Sequence, residues 1–116
     1  MFMGRKRKRP ASIPEEVKRE VEAIVERFNR EKSRRDDCYY QARFSGKYCY
    51  LNRSDYGSLG PICRLTYTGK MDNWKFAIFK WSSETYDPNE WYFPGSELVD
   101  GTIEGAMKAG LEAYPV

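Results

Sequence analysis

The chain has 116 residues, with 20 Lys and Arg against 17 Asp and Glu, no histidine, three cysteines and 16% aromatic residues. That length is one domain with one modest core, and an aromatic share about twice the ordinary makes rings as much as aliphatics the material of that core. The longest apolar runs, YCYL and FAIF, have four residues each, far short of the ~20 of a membrane helix, and without imidazole neither Ser-His-Asp nor Cys-His catalysis is available.

Residues 1–11, MFMGRKRKRPA, read as a disordered basic tail, because Arg5, Lys6, Arg7, Lys8 and Arg9 repel one another and too few apolar residues accompany them. The tail runs into PASIPEEVKRE without the apolar core of a secretory signal, so a cytoplasmic location is expected. Residues 12–116 read as a single α+β domain. Ser12 with Glu15 has the form of a capping box, with Pro14 in the first turn. Val17, Val21, Ile24, Val25 and Phe28 then mark one stripe of an amphipathic helix running to about Ser33.

From Cys38 to Trp81 the residue types change to short runs of Tyr, Phe, Trp, Cys, Ile and Thr broken by Gly, Asn, Asp and Pro, which is strand chemistry. Four strands fit: CYYQARF, KYCYLNR, ICRLTYT and WKFAIFKW. Ser45-Gly46 predicts a tight hairpin, RSDYGSLGP a longer loop and GKMDN a short connection, so the expected sheet is an antiparallel meander. The segment YDPNEWYFPGSE, residues 86–97, has turn punctuation yet carries Tyr86, Trp91, Tyr92 and Phe93. Rings left in water forgo about 25 cal/mol per Å² of burial, so these must pack on the chain itself or on a partner. Asp100 is placed to cap a second helix with Ile103, Ala106, Met107, Gly110, Leu111 and Tyr114 on one face, ended by Pro115. Gly105 and Gly110 inside that helix cost about 1 kcal/mol each relative to alanine, which implies a close approach of its backbone to another element. The expected fold is a two-layer α-β-β-β-β-α sandwich, a four-stranded antiparallel meander with both helices on one face.

Few motifs carry chemistry. Cys38, Cys49 and Cys63 are spaced eleven and fourteen apart, which matches no zinc pattern and suits buried, reduced thiols. Gly57-Ser58-Leu59-Gly60 has the G-x-x-G form of some phosphate clamps but lies between two strands, where a plain wide loop is expected. Glu84, Asp87, Glu90, Glu97 and Asp100 match no calcium-loop template and are assigned to turns, capping and solvation. No cofactor or metal is expected, and the chain is read as not an enzyme.

Charge is unevenly spread. Without the five tail cations, 15 Lys and Arg face 17 acids, about −2. Residues 38–81 nevertheless hold seven cations against Asp55 and Asp72, and residues 82–116 seven acids against Lys108. Alternation places Tyr39, Gln41, Arg43, Tyr48, Tyr50, Asn52, Arg64 and Thr66 on one face if Ala42, Phe44, Leu51 and Leu65 point to the helices. Such an aromatic and basic surface suits stacked bases and a phosphate backbone. An RRM sheet resembles it in that combination, but no stretch matches the RNP1 pattern and the element order differs. A helix at each end of a small sheet resembles a double-stranded-RNA-binding domain, yet no basic cluster opens the last helix, so neither family is carried over.

The leading expectation for the aromatic loop is an internal clasp, with Trp91 and Phe93 packing on Tyr48 or Tyr50 and Glu90 or Glu97 meeting Arg43 or Arg64. The competing one is a partner-facing ring cluster. The function expected is a small non-enzymatic binding module for a protein or small ligand, using Trp91, Tyr92, Tyr48, Tyr50, Arg43 and Arg64. The alternative is nucleic-acid binding through Arg5 to Arg9 and the sheet face. No membrane partner is expected, and oligomeric state stays open.

Overall fold

The computed structural model describes residues 12–32 and 37–116, so the tail with Arg5 to Arg9 lies outside the described residues. The first helix, α1, spans Glu15–Lys32 and buries Val17, Val21, Val25 and Phe28. It starts later than a Ser12 cap would put it. The Pro14 carbonyl accepts from Val17 and Lys18 at 3.1 and 3.0 Å, so Pro14, which has no N–H to leave unpaired, stands at the cap position. Ile13, 2% exposed, draws the chain into the core, and its amide donates to the Gly46 carbonyl at 3.0 Å.

The sheet has five antiparallel strands in chain order: β1 Cys38–Ser45, β2 Tyr48–Asp55, β3 Ser58–Thr66, β4 Lys75–Lys80 and β5 Thr85–Asp87. The expected meander is present with one strand more. β5 has only three residues, paired Ile78↔Asp87, Phe79↔Tyr86 and Lys80↔Thr85, too short to announce itself by alternation. The loop expected at RSDYGSLGP is instead a tight turn at Tyr56-Gly57, both with positive φ of 56° and 87°. Such a turn matches strand twist and is favoured by the glycine. The β2–β3 register slips between Leu51 and Asn52, leaving Ile62 as the extra residue beside Pro61. A bulge there accommodates a proline, which has no ladder donor, within an inner strand.

Both helices cover one face of the sheet. The second, α2, spans Ile103–Ala113. Its N-cap is Thr102, not Asp100: the Thr102 hydroxyl accepts from the Gly105 amide at 2.9 Å, while Asp100 Oδ1 accepts from the Thr102 amide and hydroxyl. Gly101, at φ 88°, separates the two, and its carbonyl takes the Trp74 amide at 2.9 Å. The small residues of α2 have the reason expected of them. A Cβ on Gly110 would lie 2.6 Å from Ile62 Cγ2 and against the Tyr40 hydroxyl, which itself donates to the Met107 carbonyl at 2.7 Å.

The core between the layers joins Val21, Val25 and Phe28 of α1, Leu51, Cys63, Leu65, Phe76 and Ile78 of the sheet, and Ile103 and Met107 of α2. Cys38, Cys49 and Cys63 are buried and unbridged, and burial pushes the Cys49 thiol up to about 12. Arg53, 3% exposed, is paired rather than stranded. It meets Asp55 at 2.8 and 3.0 Å and donates to the carbonyls of Gly110 and Tyr114 at the end of α2. Burial, the largest single influence, would lower its pKa; Asp55 and Tyr40, through hydrogen bonds and charge, together push it the other way, and the net shift is upward.

The helix-free face of the sheet as the candidate site

Strand pleat divides the side chains between two faces. Tyr40, Cys49, Leu51, Leu65, Phe76 and Ile78 belong to the core beneath the helices, so their chain neighbours take the other face. The register then lines up Arg43, Tyr50, Arg64 and Ala77 in one row across four strands, and Ser45, Tyr48, Thr66 and Lys75 in the next. Tyr86 joins this face from β5 beside Phe79. The strand positions sharing the face hold no Asp or Glu.

Cations and rings alternate within cation–π range. The Arg43 guanidinium carbon lies 4.4 Å from the Tyr50 ring centre, and that of Arg64 lies 4.8 Å from Tyr48 and 5.6 Å from Tyr86. Lys47 adds its ammonium 5.7 Å from Tyr48. Contacts of this kind are worth about 0.5–1 kcal/mol each when exposed and hold the guanidinium in place without neutralising it. Arg64 Nε is buried with no hydrogen-bond partner. Burial and the neighbouring Tyr50 raise the Tyr86 phenol pKa, against the pull of Arg43 and Arg64. The rings form a chain: Tyr48–Tyr50 at 6.1 Å, Tyr50–Tyr86 at 5.4 Å, Tyr86–Phe79 at 5.1 Å and Phe79–Trp81 at 5.0 Å.

The internal clasp is overturned. Trp91 packs tilted against Phe76 at 6.2 Å and Phe93 stacks on it at 5.9 Å, on the helix side of the sheet and not on Tyr48 or Tyr50. Glu90 meets Lys80 at 3.0 Å rather than Arg43 or Arg64, and Asp87 joins at 3.7 Å. The reason is β5. Once Tyr86 pairs with Phe79, the chain leaves the sheet edge beside Asp87, and the rest of the loop folds towards the helix layer. The Lys80 ammonium and the Tyr92 amide hold the Glu90 carboxyl below the usual range. The aromatic loop thus splits its rings: Tyr86 to the helix-free face, Trp91 and Phe93 to the opposite side, and Tyr92, 99% exposed, to neither.

Of the residues singled out from the sequence, Tyr48, Tyr50, Arg43 and Arg64 come together, while Trp91 and Tyr92 lie apart from them. Sequence reasoning missed Tyr86, Phe79 and Lys47. Alternation in WKFAIFKW already sets Ala77 and Phe79 against Phe76 and Ile78, so Phe79 was recoverable; Tyr86 required recognising β5. Among the described residues no three carboxylates, thiols or imidazoles gather as a metal site would need, and no helix is long and apolar enough to cross a membrane. Comparison of the chain with protein-family models, curated proteins and solved structures found no match.

Proposed function

We propose that this chain is a non-enzymatic binding module that takes single-stranded nucleic acid on the helix-free face of its sheet. The observation that carries the reading is the row Arg43, Tyr50, Arg64: two guanidinium groups flank one ring, on a face whose strand positions have no acid to neutralise them. Arg43 and Arg64 supply phosphate contacts, and Tyr48 and Tyr50, with the guanidinium planes over them, supply stacking surface for splayed bases. A duplex hides its bases, so a flat ring-bearing sheet favours a single strand. Arg5 to Arg9 add a sequence-independent attraction, and the reading takes the module to be cytoplasmic.

The test is anisotropy of a labelled single strand titrated with the protein. Binding at about 50 mM salt is expected, weakening steeply as salt rises, with Arg5 to Arg9 deletion and Arg43→Gln each lowering affinity. Absence of binding at that salt overturns the reading. A second reading, a protein or small-ligand partner on the loop, is favoured by one observation: Tyr92 is 99% and Trp91 48% exposed. It predicts that Trp91→Ala abolishes such binding with the melting temperature nearly unchanged, and a large loss of stability would return that ring to a structural role.

A further inference from the structure

The sheet has two edges, β5 with three residues and β1 with eight. Which backbone groups of β1 face outward follows from its hairpin. Ser45 and Tyr48 close the two-residue turn as a hydrogen-bonded pair, and such pairs alternate along an antiparallel ladder. Arg43 and Gln41 therefore bond to β2, while Phe44, Ala42 and Tyr40 turn their N–H and C=O outward. Asn29 of α1 fixes the same parity independently: its Oδ1 accepts from the Tyr40 amide at 2.9 Å, and its Nδ2 donates to the Tyr40 carbonyl at 3.0 Å. Tyr40 is thereby covered. The outward groups of Ala42 and Phe44 have no such partner among the described residues.

A groove of about 660 Å³ runs beside them, lined by Arg19, Glu22, Glu26 and Asn29 of α1 and by Tyr40 and Ala42. From Arg19 to Asn29 the helix rises about 15 Å, the reach of about five extended residues. Its wall is acidic on balance, because the exposed Glu22 and Glu26 outnumber Arg19. A strand laid on this edge turns the side chains opposite Ala42 and Phe44 towards α1, and the alternate ones towards Gln41 and Arg43.

A second copy of the chain fits this edge poorly. Antiparallel self-pairing that joins Ala42 to Phe44 sets the two copies of Arg43 directly opposite each other, which is destabilising. Centring the pair on Ala42 sends Phe44 to the Tyr40 backbone that Asn29 already holds. Centring it on Phe44 sends Ala42 to Gly46, whose carbonyl already takes the Ile13 amide.

We infer that β1 is a docking edge for an extended segment of another protein, added antiparallel, with Lys or Arg at the alternate positions that face Glu22 and Glu26. Main-chain bonds to Ala42 and Phe44 attach the segment, and the acidic helix wall selects its side chains. This surface is separate from the helix-free face and does not depend on what that face binds.

The experiment titrates the whole isotope-labelled protein at low salt with a peptide of about eight residues, alternating Thr and Lys, and reads amide hydrogen exchange residue by residue. In the free protein the Ala42 and Phe44 amides should exchange quickly, and those of Gln41 and Arg43 slowly. Saturating peptide should slow exchange at Ala42 and Phe44 about tenfold or more. An alternating Thr-Glu peptide, and the Thr-Lys peptide N-methylated at each lysine, should give no such protection. Glu22→Gln with Glu26→Gln should weaken the Thr-Lys peptide about fivefold, the effect of two exposed ion pairs. Binding that leaves Ala42 and Phe44 unprotected, equal binding of the Thr-Glu peptide, or no binding at about 1 mM overturns the inference. A free protein that sediments as a dimer with Ala42 and Phe44 already protected also overturns it, and gives the edge to a second copy.

Discussion

Two ring clusters sit on opposite sides of β4, built from the same residue types and settled in opposite ways. On the helix side, Phe93 stacks on both Phe76 and Trp91, which tilt against each other, and the nearby charges close among themselves as Lys80 with Glu90 and Asp87. On the helix-free side, Tyr48, Tyr50 and Tyr86 are interleaved with Arg43 and Arg64, and no acid on the strands answers those cations. An aromatic cluster that neutralises its own charge has the properties of a wall. One that carries uncompensated guanidinium groups retains an electrostatic capacity that only something from outside can use.

The comparison is broken most severely at Phe76. Its ring is 5% exposed and stands between the core and the loop rings, so Phe76→Ala should cost about 3–5 kcal/mol in urea unfolding. A loss below about 1 kcal/mol would show that the loop cluster does not act as a wall. Across the sheet the effect should invert. Arg64→Gln should cost no more than about 2 kcal/mol of stability, because it removes two ring contacts of about 0.5–1 kcal/mol each and leaves no acid unpaired. Binding of a single strand should still fall about tenfold, with the salt slope reduced by about 0.7. A variant that melts early and binds normally would make Arg64 a structural residue.

The smallest effect expected is a pH dependence confined to the wall. The Glu90 carboxyl is held down first by its hydrogen bond to Lys80 and then by the Tyr92 amide. A carboxyl whose folded pKa is depressed stabilises the fold above its unfolded value, near 4.3, and that contribution is lost as pH falls through the folded value. Acid titration followed by tryptophan fluorescence should therefore show a modest loss below about pH 4.5 that Glu90→Gln lacks. An identical acid limb in both proteins would remove Lys80 and Glu90 from the account of the wall.

The layered α+β architecture was legible because periodicity is written locally. The α1 stripe, the alternation of ARF, YCYL and CRLT, and the small residues of α2 each name a face without reference to anything distant. Arg43, Tyr48, Tyr50 and Arg64 were grouped by that same alternation. What escaped were features decided by tertiary pairing. Pro14 caps α1 because Ile13 is drawn towards Gly46, a contact between segments far apart in sequence. Tyr56-Gly57 turns tightly although tyrosine is not a usual left-handed residue. β5 exists because three residues find an edge already formed by β4, and with it the destination of every ring in the loop changes. Complementary charge between the sheet and the C-terminal third suggested a clasp over the arginines; the acids instead found Lys80, the cation nearest in sequence.

The most direct measurement of the central claim is amide chemical-shift mapping of isotope-labelled protein during titration with a single-stranded oligonucleotide at low salt. The account predicts that the largest shifts fall on Arg43, Tyr48, Tyr50, Arg64 and Phe79, with Trp91 and Tyr92 nearly still. Shifts concentrated on Trp91 and Tyr92, with the Arg43, Tyr50, Arg64 row unmoved, would contradict it.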